Sequence, residues 1–121
     1  MYKNKKIVVF GVSQDPAKYG HKIFTALGRM GLEVYGISPK GGEVDNKPLF
    51  TDLSALNVKP DVAIMVIPPV ALVPAVEQCI EAKVSEIWFQ PGSRSEEAYH
   101  LAITAGLKAM EGCFMADNGF W

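Results

Sequence analysis

The chain is poor in the groups that usually announce catalysis. It has two cysteines and two histidines in 121 residues. Cys79 and Cys113 form no Cys-x-x-Cys pair and hold no metal-ligand spacing with His21 or His100, so no metal site is expected. Free thiols fit a reducing compartment, and a cytoplasmic location is expected. No nucleophile stands beside an evident base, and no two carboxylates share an evident site; Asp15, Glu96 and Glu97 read as helix-start acids. Long hydrophobic runs are missing as well. The longest, Val62–Val76, contains Pro68, Pro69 and Pro74 and falls short of a membrane span. Ile7–Phe10, behind the basic Met1–Lys6, is too short for a signal peptide. The formal net charge is −1, which gives no footprint for a nucleic acid but leaves room for a small phosphorylated ligand. With no repeat, low-complexity tract or linker, residues 1–121 should form a single domain.

What is present is alternation. The runs Lys6–Val12, Glu33–Ile37, Asp61–Ile67, Glu86–Gln90 and Leu107–Glu111 are short and rich in Val, Ile or aromatics. Three are almost continuously apolar, as strands covered on both faces should be. Between them Tyr19–Met30, Val70–Ala82 and Ser95–Ala105 carry apolar residues at helical spacing: Ile23, Leu27 and Met30; Leu72, Val76 and Cys79; Ala98, Leu101, Ala102 and Ala105. Ser93 with Glu96 predicts a capping box, Gly106 a helix exit, and Thr51 or Asp52 the cap of a short turn over Leu53–Leu56. Strand–helix alternation with short connections implies right-handed crossovers and a parallel sheet. The expectation is an α/β, three-layer, Rossmann-like doubly wound sheet of five parallel strands in the order 3-2-1-4-5. Its ligand would bind at the carboxyl ends of the strands.

Four strand tips fall on that edge. The first, Gly11-Val12-Ser13 running to Lys18, Tyr19 and Gly20, is not Gly-x-Gly-x-x-Gly, because Ser13 stands where the second glycine would. Ser13, Lys18 and the free N–H groups of the following helix can receive phosphate oxygens. The second tip lacks the acid that accepts from the adenosine ribose of NAD and offers Ser38-Pro39-Lys40-Gly41-Gly42 instead. A lysine there suits a phosphate, and the residues do not distinguish the 2′-phosphate of NADP from a 3′-phosphate. The third tip, Ile67-Pro68-Pro69, removes two N–H donors and makes a stiff apolar wall suited to a narrow uncharged arm. It is equally a strand terminator with Pro69 opening a helix. The fourth, Gln90-Pro91-Gly92-Ser93, repeats Pro and Gly before a helix, with Gly92 and Ser93 as further donors.

Taken together, Gly11-Val12-Ser13 with Tyr19-Gly20, Ser38-Pro39-Lys40, Pro68-Pro69, Pro91-Gly92 and Cys113 resemble the small stand-alone CoA-binding domain family, akin to the amino-terminal Rossmann domain of the succinyl-CoA synthetase α subunit. The resemblance runs from Lys6 to about Met115. It implies that Gly11, Val12, Ser13, Lys18 and Tyr19 hold the diphosphate region of CoA or an acyl-CoA. Pro39 and Lys40 would flank the adenosine 3′-phosphate, and Ile67, Pro68 and Pro69 would line the pantetheine arm. The synthetases carry their ligase machinery in domains absent from this chain, so the resemblance implies binding and no reaction. The alternatives are an NAD(P)-binding regulator or oxidoreductase domain on the same fold, and a ligand-free interaction module. Cys113, after the last strand, is either a thiol facing the ligand edge or an inert one. The aromatic end Phe120-Trp121 suggests docking onto a groove or a second subunit, and a homodimer is the expectation.

Overall fold

The structure is a computed structural model that describes residues 2–121. Seven strands and four helices alternate along it. The strands are β1 (Lys6–Phe10), β2 (Glu33–Ile37), β3 (Glu43–Val44), β4 (Lys47–Phe50), β5 (Val62–Met65), β6 (Glu86–Phe89) and β7 (Lys108–Glu111). The helices are α1 (Tyr19–Arg29), α2 (Leu72–Glu81), α3 (Glu96–Thr104) and α4 (Phe114–Asp117), with 3-10 turns at Leu53–Ala55 and Pro69–Ala71. The strands stand in the order β3-β4-β2-β1-β5-β6-β7. All neighbours pair in parallel except β3 with β4. The doubly wound α/β class expected from the alternation is therefore present.

The strand count and order are not as expected. The run Asp61–Ile67 was to lie outside Glu33–Ile37; instead its core, β5, pairs with β1. The place beside β2 is taken by β4, which pairs through Gly36↔Leu49 and Ile37↔Phe50. No helix links β2 to β4. The chain turns back through a hairpin whose two-residue loop, Asp45-Asn46, has φ of 53° and 63° at its two positions. Asp and Asn tolerate this left-handed conformation, which tight hairpins need at both central residues. Arg29 fastens the hairpin to α1 through two bonds of 3.1 Å to the Asp45 carboxylate.

Two apolar cores lie on opposite faces of the sheet. Ile23, Phe24 and Leu27 of α1, with Phe114 and Met115 of α4, cover one face. Leu72, Val76 and Cys79 of α2, with Ala98 and Ala102 of α3, cover the other. Strand β5 is buried at every residue, which accounts for its unbroken apolar sequence. Met30, expected on the core face of α1, is instead its exposed C-cap. Burial also pushes the Cys79 thiol up to about 12.

The helix exits share one device. After α1 and α3, Gly31 and Gly106 adopt positive φ, and their N–H groups bond back to Gly28 and Ile103, with Leu32 and Leu107 closing the wider loop. After α2 the same bonds run from Lys83 to Ile80 and from Val84 to Cys79, with Lys83 at φ 60°. A side chain held there is strained by roughly 1–2 kcal/mol, about half of which glycine would lose again as backbone entropy. Lys83→Gly is therefore expected to stabilise the fold by about 0.5–1 kcal/mol. Urea denaturation would register this as a raised midpoint; an unchanged or lowered midpoint would refute it.

Candidate functional site

Because six strands are parallel, the loops after β1, β2, β4, β5, β6 and β7 all leave from one edge. Three of them meet where β1 ends. Gly11 has φ 96°, and a side chain on it would collide with the carbonyl of Val66 at the end of β5. Gly20, the second residue of α1, would with any side chain collide with the carbonyl of Gly11. Two glycines thus let β1, β5 and the start of α1 touch backbone to backbone.

The four tips come together with differing exposure. The N–H groups of Gly11 and Val12 both donate to the Ile37 carbonyl at 3.0 and 3.1 Å, and Val12 is buried, so this pair shapes the first loop rather than facing outward. Ser13 Oγ accepts from the Asp15 N–H, and Asp15 Oδ1 accepts from the Ala17 N–H, each at 3.0 Å. These two bonds fold the loop back on itself. Helix α1 starts at Tyr19 with no side chain capping it, which leaves its leading N–H groups open to an acceptor. Lys18 and Tyr19 are exposed at that opening.

At the second tip Ser38-Pro39-Lys40-Gly41 forms a turn, closed by the Gly41 N–H on the Ser38 carbonyl at 3.0 Å. Pro39 in the second place and Gly41 in the fourth are where such turns favour them. Ser38 is buried, while Pro39 and Lys40 are exposed. Among the described residues neither Lys18 nor Lys40 joins an ion pair. At the third tip Pro68 and Pro69 are exposed and open a 3-10 turn that runs into α2, so the helix-starting reading of Pro69 also holds. At the fourth, Pro91 and Gly92 are exposed.

Ser93 differs from its expected roles. Its hydroxyl donates to the Ile67 carbonyl at 2.7 Å and accepts from the Ile67 N–H at 3.0 Å. It neither caps α3 nor faces outward; Ser95 is the cap, accepting from the Ala98 N–H. The helix simply begins two residues later than the Ser-x-x-Glu pattern suggested.

Other ties were missed because no sequence pattern marks them. Gln14 donates to the Glu43 carbonyl at 3.3 Å and lies against Gly42, joining the first two tips. His21 Nδ1 lies 2.7 Å from the Ser13 carbonyl; a carbonyl only accepts, so this nitrogen carries the proton. Buried Gln90 accepts from the Phe114 N–H at 2.6 Å and so holds α4 to the edge. The aromatic end docks within the chain: Phe120 stacks on Phe114 at 5.7 Å and Trp121 on Tyr19 at 6.3 Å. It therefore lends no support to a second subunit.

Two hollows open at this edge. A cleft of about 210 Å³ is walled by Gly11, Pro39 and Ile67 from three tips, and by Thr51, Pro74 and Gln78, which the sequence had not marked. A chamber of about 80 Å³ lies beyond it, on the α1–α4 side. A larger groove of about 600 Å³ runs between the turn at Leu53–Ala55 and α2, from Asp52 to Lys59. Size would favour that groove, but it has no helix N-terminus aimed into it and follows the flank of the sheet. The edge cleft has the chemistry. Among the described residues no cluster of His, Cys, Asp and Glu could hold a metal ion, and no helix is long and apolar enough to cross a membrane.

The chain is similar to several solved structures. A conserved hypothetical protein from Pyrococcus furiosus shares 32% identity over 93% of this chain and 98% of its own, with a TM-score of 0.86. A hypothetical protein from Pyrococcus horikoshii OT3 shares 27% over 96% of this chain and 82% of its own, with a TM-score of 0.91. The dinucleotide-forming acetyl-coenzyme A synthetase 1 of Ca. Korarchaeum cryptofilum, solved with phosphate and ADP, shares 25% over 89% of this chain, which spans 25% of that longer one (TM-score 0.78). No curated protein matches the chain. The sequence profile of the family described as CoA binding domain matches residues 5–119, and with the fold and edge just described, the chain belongs to that family.

Proposed function

We propose that the chain binds CoA or an acyl-CoA across the carboxyl edge of its sheet and acts as a binder rather than as an enzyme. The observation that carries this is the edge cleft, walled by Gly11, Pro39 and Ile67 from three tips, with Lys40 next in the chain to Pro39 and in no ion pair among the described residues. In this reading the adenosine lies in the cleft between Pro39, Thr51 and Ile67. Its 3′-phosphate meets Lys40 on the Ser38–Gly41 turn. The diphosphate crosses the start of α1, over Gly20, where Ser13, Lys18, Tyr19 and the uncapped N–H groups attract it. Gly11 and Val12 give that loop its shape. The pantetheine arm then follows Ile67, Pro68 and Pro69 towards Pro91 and Gly92. The polar groups nearest the edge are already engaged: Ser13 with Asp15, Ser93 with Ile67, His21 with Ser13. That favours a holding role over a nucleophile and base.

Calorimetric titration with CoA, dephospho-CoA, NADP, NAD and ATP tests the reading. CoA should bind most tightly, and at 100 times its dissociation constant it should add about 2.7 kcal/mol of apparent stability. For a chain of this length that is a rise in melting temperature of roughly 10 °C. Preference for NADP would overturn the choice of ligand, and no shift with any of them would favour an interaction module. Lys40→Ala should weaken CoA by about two- to fivefold, the scale of an exposed charge contact, and leave dephospho-CoA almost unchanged. Equal losses for both would remove Lys40 from the 3′-phosphate.

A further inference from the structure

We propose that Gln78 of α2 selects the base of the bound nucleotide, donating from its amide nitrogen to N1 of adenine and so rejecting 6-oxopurines. The inference rests on the CoA reading above and deepens it by naming the residue that chooses the base. The edge cleft, of about 210 Å³, is walled by apolar groups with two exceptions, the side chains of Thr51 and Gln78. No charged side chain lines it. A flat uncharged ring suits such walls, and the few polar groups of a pocket are what fix orientation and choice of ligand. An engineered protein cavity of roughly 150 Å³ takes a benzene molecule, so a cleft of this size has room for a bicyclic base.

The two polar groups differ in what they can do. Thr51 is held at the second tip, because the carbonyl of Phe50 before it accepts from the Ser38 N–H at 2.8 Å. Its hydroxyl can donate or accept, so it tolerates an amino or an oxo group on a base. Gln78 cannot adapt. Its Oε1 accepts from the Leu53 N–H at 2.8 Å, and that backbone group only donates, so the oxygen is fixed on that side. The amide nitrogen is turned away from Leu53 and meets no acceptor among the described residues. It is not sealed off either, since no buried side-chain nitrogen or oxygen among them lacks a partner. Leu53 walls the neighbouring groove and not the cleft, whereas a helical side chain leans towards the start of its helix. Gln78 therefore lies over Pro74 and Ala75, both walls of the cleft, with a nitrogen that offers donors alone. In the CoA reading the 3′-phosphate is at Lys40, so the ribose sits at the second tip and the far edge of the base reaches α2. In adenine that edge carries N1, an acceptor. In hypoxanthine N1 bears a hydrogen, and two donors would face each other.

Calorimetry on the full chain compares CoA with its hypoxanthine analogue, in which an oxo group replaces the adenine amino group. CoA should bind about tenfold more tightly, the scale of one hydrogen bond exchanged for an unpaired donor. Gln78→Glu keeps an oxygen for the Leu53 N–H and turns an acceptor to the base, so the preference should fall to about twofold or reverse. Gln78→Leu, which offers neither group, should likewise bring the two ligands within about twofold. Both ligands carry the same phosphates, so the charge of the glutamate and any general loosening cancel in the ratio. Equal affinities on the unaltered chain would overturn base selection while leaving CoA binding intact. A preference unmoved by both variants would overturn the role of Gln78. Failure of both ligands to bind would overturn the parent reading and this inference together.

Discussion

Alanine at Gly11 should cost the fold about 3 kcal/mol or more. Two effects add. A side chain at φ 96° carries roughly 1–2 kcal/mol of backbone strain. The new Cβ also meets the carbonyl of Val66, a backbone group at the end of β5 held to β1 by the Val66 N–H on the Phe10 carbonyl, and overpacking of this kind typically costs about 1–3 kcal/mol. In a chain of this length the sum lowers the melting temperature by roughly 10 °C or more. Gly31→Ala is the internal control. It has nearly the same φ, 84°, but open space around the missing side chain, so only the strain of roughly 1–2 kcal/mol should appear. Gly20→Ala isolates the other term. Alanine is the better helix former, yet here it presses on the Gly11 carbonyl and should destabilise. Equal losses at Gly11 and Gly31, or a gain at Gly20, would mean that the three backbones do not meet as described.

Phe114→Ala should cost about 3–5 kcal/mol, the range for removing a fully buried phenylalanine, or roughly 12–20 °C of melting temperature. The ring stands edge-on to Trp88 at 5.4 Å, stacks with Phe120 and lies 4.9 Å from Tyr2. It therefore joins both ends of the chain to the sheet. Tyr2 is further held by a 2.6 Å bond from its hydroxyl to Glu86. Burial, with that carboxylate beside it, pushes its phenol up to about 12. Calorimetric melting of the variant checks the figure. A loss below about 1 kcal/mol would show that residues 113–121 are only loosely docked, and the chamber wall at Cys113 with them.

The strands that carry the edge could be read from the chain because each is a short apolar run bounded by Gly, Pro or a charged residue. The hairpin could not. Strand β3 has two residues, and β4 contains Pro48, which ordinarily argues against a strand. Pro48 is tolerated because it pairs only with Glu43 and is exposed, so the missing N–H breaks nothing in the main sheet. With β4 unseen, the place beside β2 fell to the next apolar run, and the order was misjudged for that reason alone. The tips were legible because turns demand Gly and Pro at fixed places. The ties between them were not, because Gln14, His21, Gln90 and Ser93 acquire partners only when distant segments are brought into register. The α2 wall of the cleft escaped for the same reason: Pro74 and Gln78 face it through helix packing, not through any motif.

The reciprocal bond between Ser93 and Ile67, with Gln14 on Glu43 and His21 on Ser13, means that the rim of the cleft is frozen when the chain folds. A ligand meeting such a rim need not order it, so the conformational entropy of the loops is charged to folding and not to binding. Capture should then proceed without a closing step, and the free and occupied proteins should share one backbone. Stability and affinity would consequently rise and fall together across variants of these braces, two measurements of a single preorganised surface.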